Sequence, residues 1–226
     1  TAWEQDDRVA LVMIDAAGDR AFAAGGDIVD LYKMGRAGDF GFGQTFWADE
    51  YRLNARIARY RKPYVAFMHG FVMGGGVGVS ALGSHRVVTD GPQVAMPEVG
   101  IGLVPDVGGT FMLALAPGRL GEYLGTTAAR MNAADAILAG FADLFIPQDQ
   151  WGDLIAALEA DGDVGMLDGA TQTPPPGVLH NLQDQIDALF GGEALGDILT
   201  TLREDPSVFA RDTLKLMSRN APLSMA

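Results

Sequence analysis

The chain has 226 residues, 48% hydrophobic and 20% charged, ordinary proportions for a globular protein with room for one large domain or a domain and a subdomain. Sixteen Lys and Arg against 29 Asp and Glu leave a net charge of −13, which argues against non-specific nucleic-acid binding but leaves room for a small anionic ligand at a local basic patch. There is no cysteine, hence no disulfide, thiolate nucleophile or cysteine-type zinc site; His69, His85 and His180 form no HxxxH pair, and no metal is expected.

In chain order, Thr1-Ala2-Trp3-Glu4 reads as the tail of a helix, and Ser224-Met225-Ala226 gives no stop signal. The expectation is that residues are missing at both ends, that the ligand site is incomplete, and that the edge near Val9–Ile14 exposes apolar surface. Val9–Ile14 and Tyr64–Met68 are continuous apolar runs, which suit strands buried on both faces of a parallel sheet. Arg86–Thr89 and Val94–Met96 are shorter strand candidates. Between the runs lie helical stretches, so the class is α/β. The clearest helix spans 44–60, with Phe46, Leu53, Ile57 and Tyr60 as an apolar stripe and Glu50 in the stripe's vacant position. Either Glu50 lies at the wet edge of a wider stripe or it faces a site. Asn132 and Asp135 resemble a capping box ahead of a helix closed by Gly140. Past Pro147 come a helix at 154–158, a loop from Gly162 to Gly177, and helices around 179–189, 195–202 and 208–217. The expected division is a core at 1–147 and a helical region at 148–226. No apolar run approaches 18 residues, so no membrane partner is expected and the cytoplasm is the default setting.

Three stretches carry candidate chemistry. Ala21-Phe22-Ala23-Ala24-Gly25-Gly26-Asp27 follows the first strand and turns into a helix, and its glycines leave amide N–H groups free. Met73-Gly74-Gly75-Gly76-Val77-Gly78 follows a strand ending near His69-Gly70 and opens a helix, where unpaired donors suit an anion or oxyanion. The same stretch fits G-x-G-x-x-A at Gly76, Gly78 and Ala81, with Asp90 as a ribose acid. About ten residues before Arg86 are too few for a crossover helix, so this dinucleotide reading is disfavoured. In the third stretch, Ala95–Thr110, Glu98 and Asp106 are the only acids among apolar residues and glycines. That setting raises carboxyl pKa values and suits acid/base work. The structural alternative is that Asp106 caps the following helix and Glu98 is a loop acid. A seryl nucleophile is not expected, since Gly78-Val79-Ser80-Ala81-Leu82 fails G-x-S-x-G.

In order and spacing, Ala21–Ile28, Lys62-Pro63, Gly74-Gly75-Gly76, Pro97-Glu98 and Gly108-Gly109-Thr110 resemble the crotonase (enoyl-CoA hydratase/isomerase) superfamily. The resemblance covers about 9–146 and, more loosely, the rest. It implies a crotonase-like spiral of ββα units with a helical C-terminal region, an acyl-CoA substrate, and an oxyanion hole made by the N–H groups of Gly26 and Gly75. No separate cofactor is implied, since coenzyme A is part of the substrate, and a homo-oligomer is compatible with it. In a eukaryote the matrix would replace the cytoplasm.

Hydratases of this type carry a glutamate where this chain has Gly78, besides the one matching Glu98. Instead, Glu50–Asn54, Val72–Gly78, Met96–Glu98 and Pro105–Gly109 resemble the 3-hydroxyisobutyryl-CoA hydrolase subfamily. That resemblance makes Glu98 and Asp106 the catalytic pair, with Glu98 a general base or a nucleophile, and Glu50 a substrate-binding residue. Members of the superfamily usually have an opening strand, hairpin and helix before the segment matching Thr1, and helices after that matching Ala226. The alternatives are a hydratase or isomerase on the same fold, a dinucleotide-dependent oxidoreductase, and a non-catalytic acyl-CoA-binding relative.

Overall fold

The structure, a computed structural model, describes residues 2–226. It opens with α1 (Ala2–Gln5) and β1 (Val12–Ile14), then β2 (Ala21–Ala23), α2 (Ile28–Arg36) and the long α3 (Phe40–Ala58). Next come β3 (Tyr64–Met68), β4 (Phe71–Met73), the short α4 (Gly75–Ser80), β5 (His85–Val88) and β6 (Gln93–Ala95). A 3-10 turn at Glu98–Ile101 leads to α5 (Gly109–Leu115), α6 (Leu120–Thr127), α7 (Ala133–Leu138) and β7 (Leu144–Phe145). The remainder is helical: α8 (Trp151–Asp161), α9 (Met166–Ala170), α10 (Leu179–Leu189), α11 (Leu195–Glu204), α12 (Val208–Met217) and α13 (Pro222–Met225).

The strands form two sheets, ordered β1-β3-β5-β7 and β2-β4-β6, and every pairing is parallel. Successive strands therefore alternate between sheets, and each turn of chain adds one strand to each before a helix carries it back. This is the expected spiral of ββα units. The apolar run at β3 is explained by its central place. Successive side chains of a strand point to opposite faces. Ala66 and Met68 enter the larger core with Val88, Leu120 and Phe141, while Val65 and Phe67 enter a second core with Trp151, Leu158 and Leu167. All five β3 residues are buried. The Phe67 and Trp151 rings meet edge to face with centroids 5.1 Å apart, a pair worth about 1 kcal/mol beyond its buried area.

Several boundaries differ from the sequence expectation. The helix expected over 44–60 starts earlier, at Phe40, because Asp39 accepts a hydrogen bond from the Phe42 N–H and caps it. Its buried residues are Asn54 and Ile57, whereas Leu53 is exposed, so the inward face runs 46, 50, 54, 57. β1 is shorter than its apolar run. It forms one edge of its sheet, where Trp3, Leu11, Met13 and Ile155 line a groove of about 600 Å³ together with charged Arg8, Asp15 and Glu159. The Asn132 cap holds, accepting from the Asp135 N–H, but the Asp135 carboxylate accepts from the Leu179 N–H across the fold instead of closing the box. α9 forms inside the stretch read as a loop. Thr1 lies outside the described residues.

Candidate active site

β2, β4 and β6 are adjacent and parallel, so their C-terminal ends emerge side by side. Each of the three candidate stretches follows one of them: Gly25-Gly26 after β2, Gly74-Gly75 after β4, and Glu98 after β6. Parallel pairing alone thus gathers residues more than seventy positions apart at one edge, the usual location of ligand sites in parallel sheets. The second stretch follows β4, not the strand expected to end near Gly70, since a turn with Gly70 at φ +54° intervenes.

The two glycine turns interlock. A β-carbon on Gly25 would lie 3.0 Å from the Gly75 nitrogen, and one on Gly75 would lie 3.6 Å from the Gly26 nitrogen. Among the described residues neither the Gly26 nor the Gly75 N–H donates a hydrogen bond. Gly75 is the first residue of α4, where amides lack an intrahelical acceptor. Gly74 adopts φ +53°, ψ −124°, a backbone that essentially requires glycine, and a β-carbon there would lie 3.2 Å from Glu98 Oε1.

α3 crosses this edge with its inward face. A β-carbon on Gly75 would lie 2.8 Å from Glu50 Oε1, and one on Gly78 would lie 2.8 Å from Asn54 Nδ2. Glu50 and Asn54 are one turn apart on α3, and Gly75 and Gly78 one turn apart on α4, so the two faces lie along each other. The Phe46 ring lies over Gly26. Glu50 is half-buried, with its carboxyl against the Gly75 turn.

Glu98 is only 4% exposed, and among the described residues its buried Oε2 has no hydrogen-bond partner. Burial, helped by the nearby charge of Asp106 and opposed by a backbone hydrogen bond, raises its pKa to about 7. Asp106 is raised by burial, offset by a backbone hydrogen bond and by the Trp47 indole. Glu50 is raised by burial and then by Asp106. The Tyr51 hydroxyl is raised by burial, Asp106 and Glu50. Glu50, Glu98 and Asp106 thus share one electrostatic neighbourhood. Asp106 does not cap α5 with its side chain: the N-cap residue is Gly108, and the Asp106 carbonyl accepts from the Gly109 N–H. Val107 has φ +47°, an outlier for a β-branched residue that costs roughly 1–3 kcal/mol and marks a turn held by its surroundings.

Trp47 and Asn54 were not singled out by sequence reasoning. Asn54 lies four residues after Glu50, and that period was the available signal. Trp47 reaches Asp106 only through tertiary packing. Among the described residues no group of three or more His, Cys, Asp or Glu could hold a metal ion. The dinucleotide reading does not fit this edge. α4 has six residues, β4 and β5 lie in different sheets, and a β-carbon on Gly76 would overlap the Ala23 carbonyl, so that glycine serves close packing.

The structure superposes on that of an enoyl-CoA hydratase from Rhodobacter sphaeroides 2.4.1 with TM-score 0.95 and 52% identity, covering 100% of this chain and 65% of that one. It superposes on a carnitinyl-CoA dehydratase from Mycobacterium thermoresistibile with TM-score 0.95 and 46% identity, covering 99% and 66%. Among curated proteins, the mitochondrial 3-hydroxyisobutyryl-CoA hydrolase of Danio rerio is 37% identical over 99% of this chain and 61% of its own length. The human protein of that name is 35% identical over 99% and 60%. The chain thus spans about three fifths of the length of the curated relatives it matches. The family model described as Enoyl-CoA hydratase/isomerase matches residues 1–226, and with the ββα spiral and its glycine-lined edge this places the chain in the enoyl-CoA hydratase/isomerase family.

Proposed function

We propose that this chain carries the active site of an acyl-CoA thioester hydrolase, with 3-hydroxyisobutyryl-CoA as the substrate suggested by the names of its curated relatives. The supporting observation is the closed space over Gly78. Hydration draws on a second carboxylate there, and Val107 and Asn54 already fill the place its side chain would take. Glu98 and Asp106 remain, buried and raised in pKa.

The thioester carbonyl docks at the N–H groups of Gly26 and Gly75. These preorganised donors stabilise the oxyanion as it forms, and losing one such donor costs roughly 3–4 kcal/mol. Glu98 acts in its ionised form, either removing a proton from water or attacking the carbonyl to give an anhydride that water then opens. Asp106, near the Trp47 indole, orients the reacting groups and shuttles the proton to the leaving sulfur. Glu50 lies beside Gly75, its carboxyl pushed above the usual range by burial and then by Asp106, and is placed to hydrogen-bond an acyl hydroxyl. Coenzyme A arrives with the substrate, and the mechanism calls on no other cofactor.

A hydratase is the second reading, favoured by the titles of the two structures at 52% and 46% identity. A panel of acyl-CoAs assayed for free thiol separates them: hydrolysis releases thiol and hydration does not. The cellular setting follows the mitochondrial relatives if the source is eukaryotic and is otherwise cytoplasmic. No described helix is long and apolar enough to cross a membrane.

A further inference from the structure

Asn54 is 4% exposed, and among the described residues neither its Nδ2 nor its Oδ1 has a hydrogen-bond partner. A buried amide with both ends unpaired is costly, and in native proteins such a group has a partner of some kind, often water, or a functional role. Its surroundings identify the role. The amide lies against Gly78, and the Glu98 carboxyl lies against Gly74, four residues earlier. Gly74 is the N-cap of α4 and Gly78 lies in its first turn, so the two groups flank the same end of that helix. Glu98 Oε2 is likewise buried and unpaired. Between the two positions stands Gly75, whose N–H is free.

We propose that Asn54 is the second holder of the hydrolytic water, taking from α3 the place that Gly78 cannot fill from α4. The assignment rests on the hydrolase reading above. The water O–H facing Glu98 gives its proton to the carboxylate, and the other O–H donates to Asn54 Oδ1. A lone pair is left aimed at the carbonyl carbon. The new C–O bond forms there, the C–S bond breaks, and the proton passes from Glu98 by way of Asp106 to the sulfur, giving the free acid and coenzyme A thiol. If an anhydride on Glu98 forms first, the same water attacks it and Asp106 takes the proton.

The test uses the full-length enzyme and follows thiol release from 3-hydroxyisobutyryl-CoA, with and without added hydroxylamine, a nucleophile that does not need an oriented water. Asn54→Leu keeps the volume and removes the acceptor. Its kcat should fall roughly 10- to 100-fold, the scale of one lost hydrogen bond in a buried site, with KM nearly unchanged. Hydroxylamine should restore most of the thiol release in this variant and add little to the wild type. Asn54→Asp keeps an acceptor and should retain more activity than Asn54→Leu, and its charge near Glu98 should move the acidic limb of the pH profile upward. If Asn54→Leu does not fold, Asn54→Ala and Asn54→Asp carry the same comparison. Wild-type kcat in Asn54→Leu or Asn54→Ala, or a loss that hydroxylamine does not relieve, overturns the assignment. A wild-type enzyme that releases no thiol from any acyl-CoA removes the hydrolase reading and the assignment with it, an outcome visible before any variant is made.

Discussion

Val107 closes the space over Gly78: a β-carbon on Gly78 would lie 2.5 Å from Val107 Cβ. Val107 holds that position with a left-handed backbone, φ +47°, so the strained turn carrying Asp106 and the bare face of α4 fit together. Gly78→Glu therefore does not install a second catalytic acid. It should destabilise the fold by about 1–3 kcal/mol, as overpacking of a close-packed site does, and should yield no hydration of crotonyl-CoA. Denaturant melts and loss of crotonyl-CoA absorbance check the two halves; a stable variant that hydrates would contradict the packing argument.

Gly75→Ala probes the oxyanion pair. The added methyl would lie 2.8 Å from Glu50 Oε1 and 3.6 Å from the Gly26 nitrogen, intruding on the place assigned to the carbonyl oxygen. The expected loss in kcat/KM is roughly 10²–10³-fold, the scale of one lost oxyanion donor. Steady-state kinetics decide it, and near-wild-type turnover would move the oxyanion site elsewhere.

The pH dependence of turnover follows from Glu98. Its pKa is about 7, and both routes need the ionised form, so kcat/KM should rise with pH through about 7 and be low at pH 5. Glu98→Gln should lower thiol release roughly 10²–10⁴-fold and abolish that limb. Asp106→Asn should also slow the reaction, and the double variant should lose less than the product of the single losses, because the pair acts as a unit.

The same shift makes a stability prediction of opposite sense. A carboxyl with a folded-state pKa above its unfolded value keeps its proton longer in the native state. Stability therefore falls as pH rises from 4.5 towards about 7. Between those values the maximum penalty is about 3 kcal/mol. Glu98→Gln should match the wild type at pH 4 and exceed it at pH 8 by up to that amount. Urea melts at both pH values test this, and a variant less stable at pH 8 would show that the carboxylate is satisfied in the fold.

The three stretches that meet at the β2-β4-β6 edge were each legible in sequence because glycine clusters and isolated acids in apolar surroundings are local signals. Their meeting follows from parallel pairing, which the apolar runs suggested only for the other sheet. β2, β4 and β7 have two or three residues each and leave too little pattern to be read as strands. On α3 the stripe misled by one residue: Leu53 was assigned inward and is exposed, while Asn54, a residue usually found outside, is buried. Composition cannot identify which polar residue is buried. The position of Asn54 four residues after Glu50 could have.

The central claim is that a carbonyl polarised by two amides is cleaved by water, not that water is added to a double bond. Measuring thiol release and crotonyl-CoA absorbance in parallel on the full-length enzyme tests it most directly. The account predicts thiol release from 3-hydroxyisobutyryl-CoA, lost in Glu98→Gln, with crotonyl-CoA absorbance unchanged. Rapid loss of crotonyl-CoA absorbance without thiol from any acyl-CoA would contradict it.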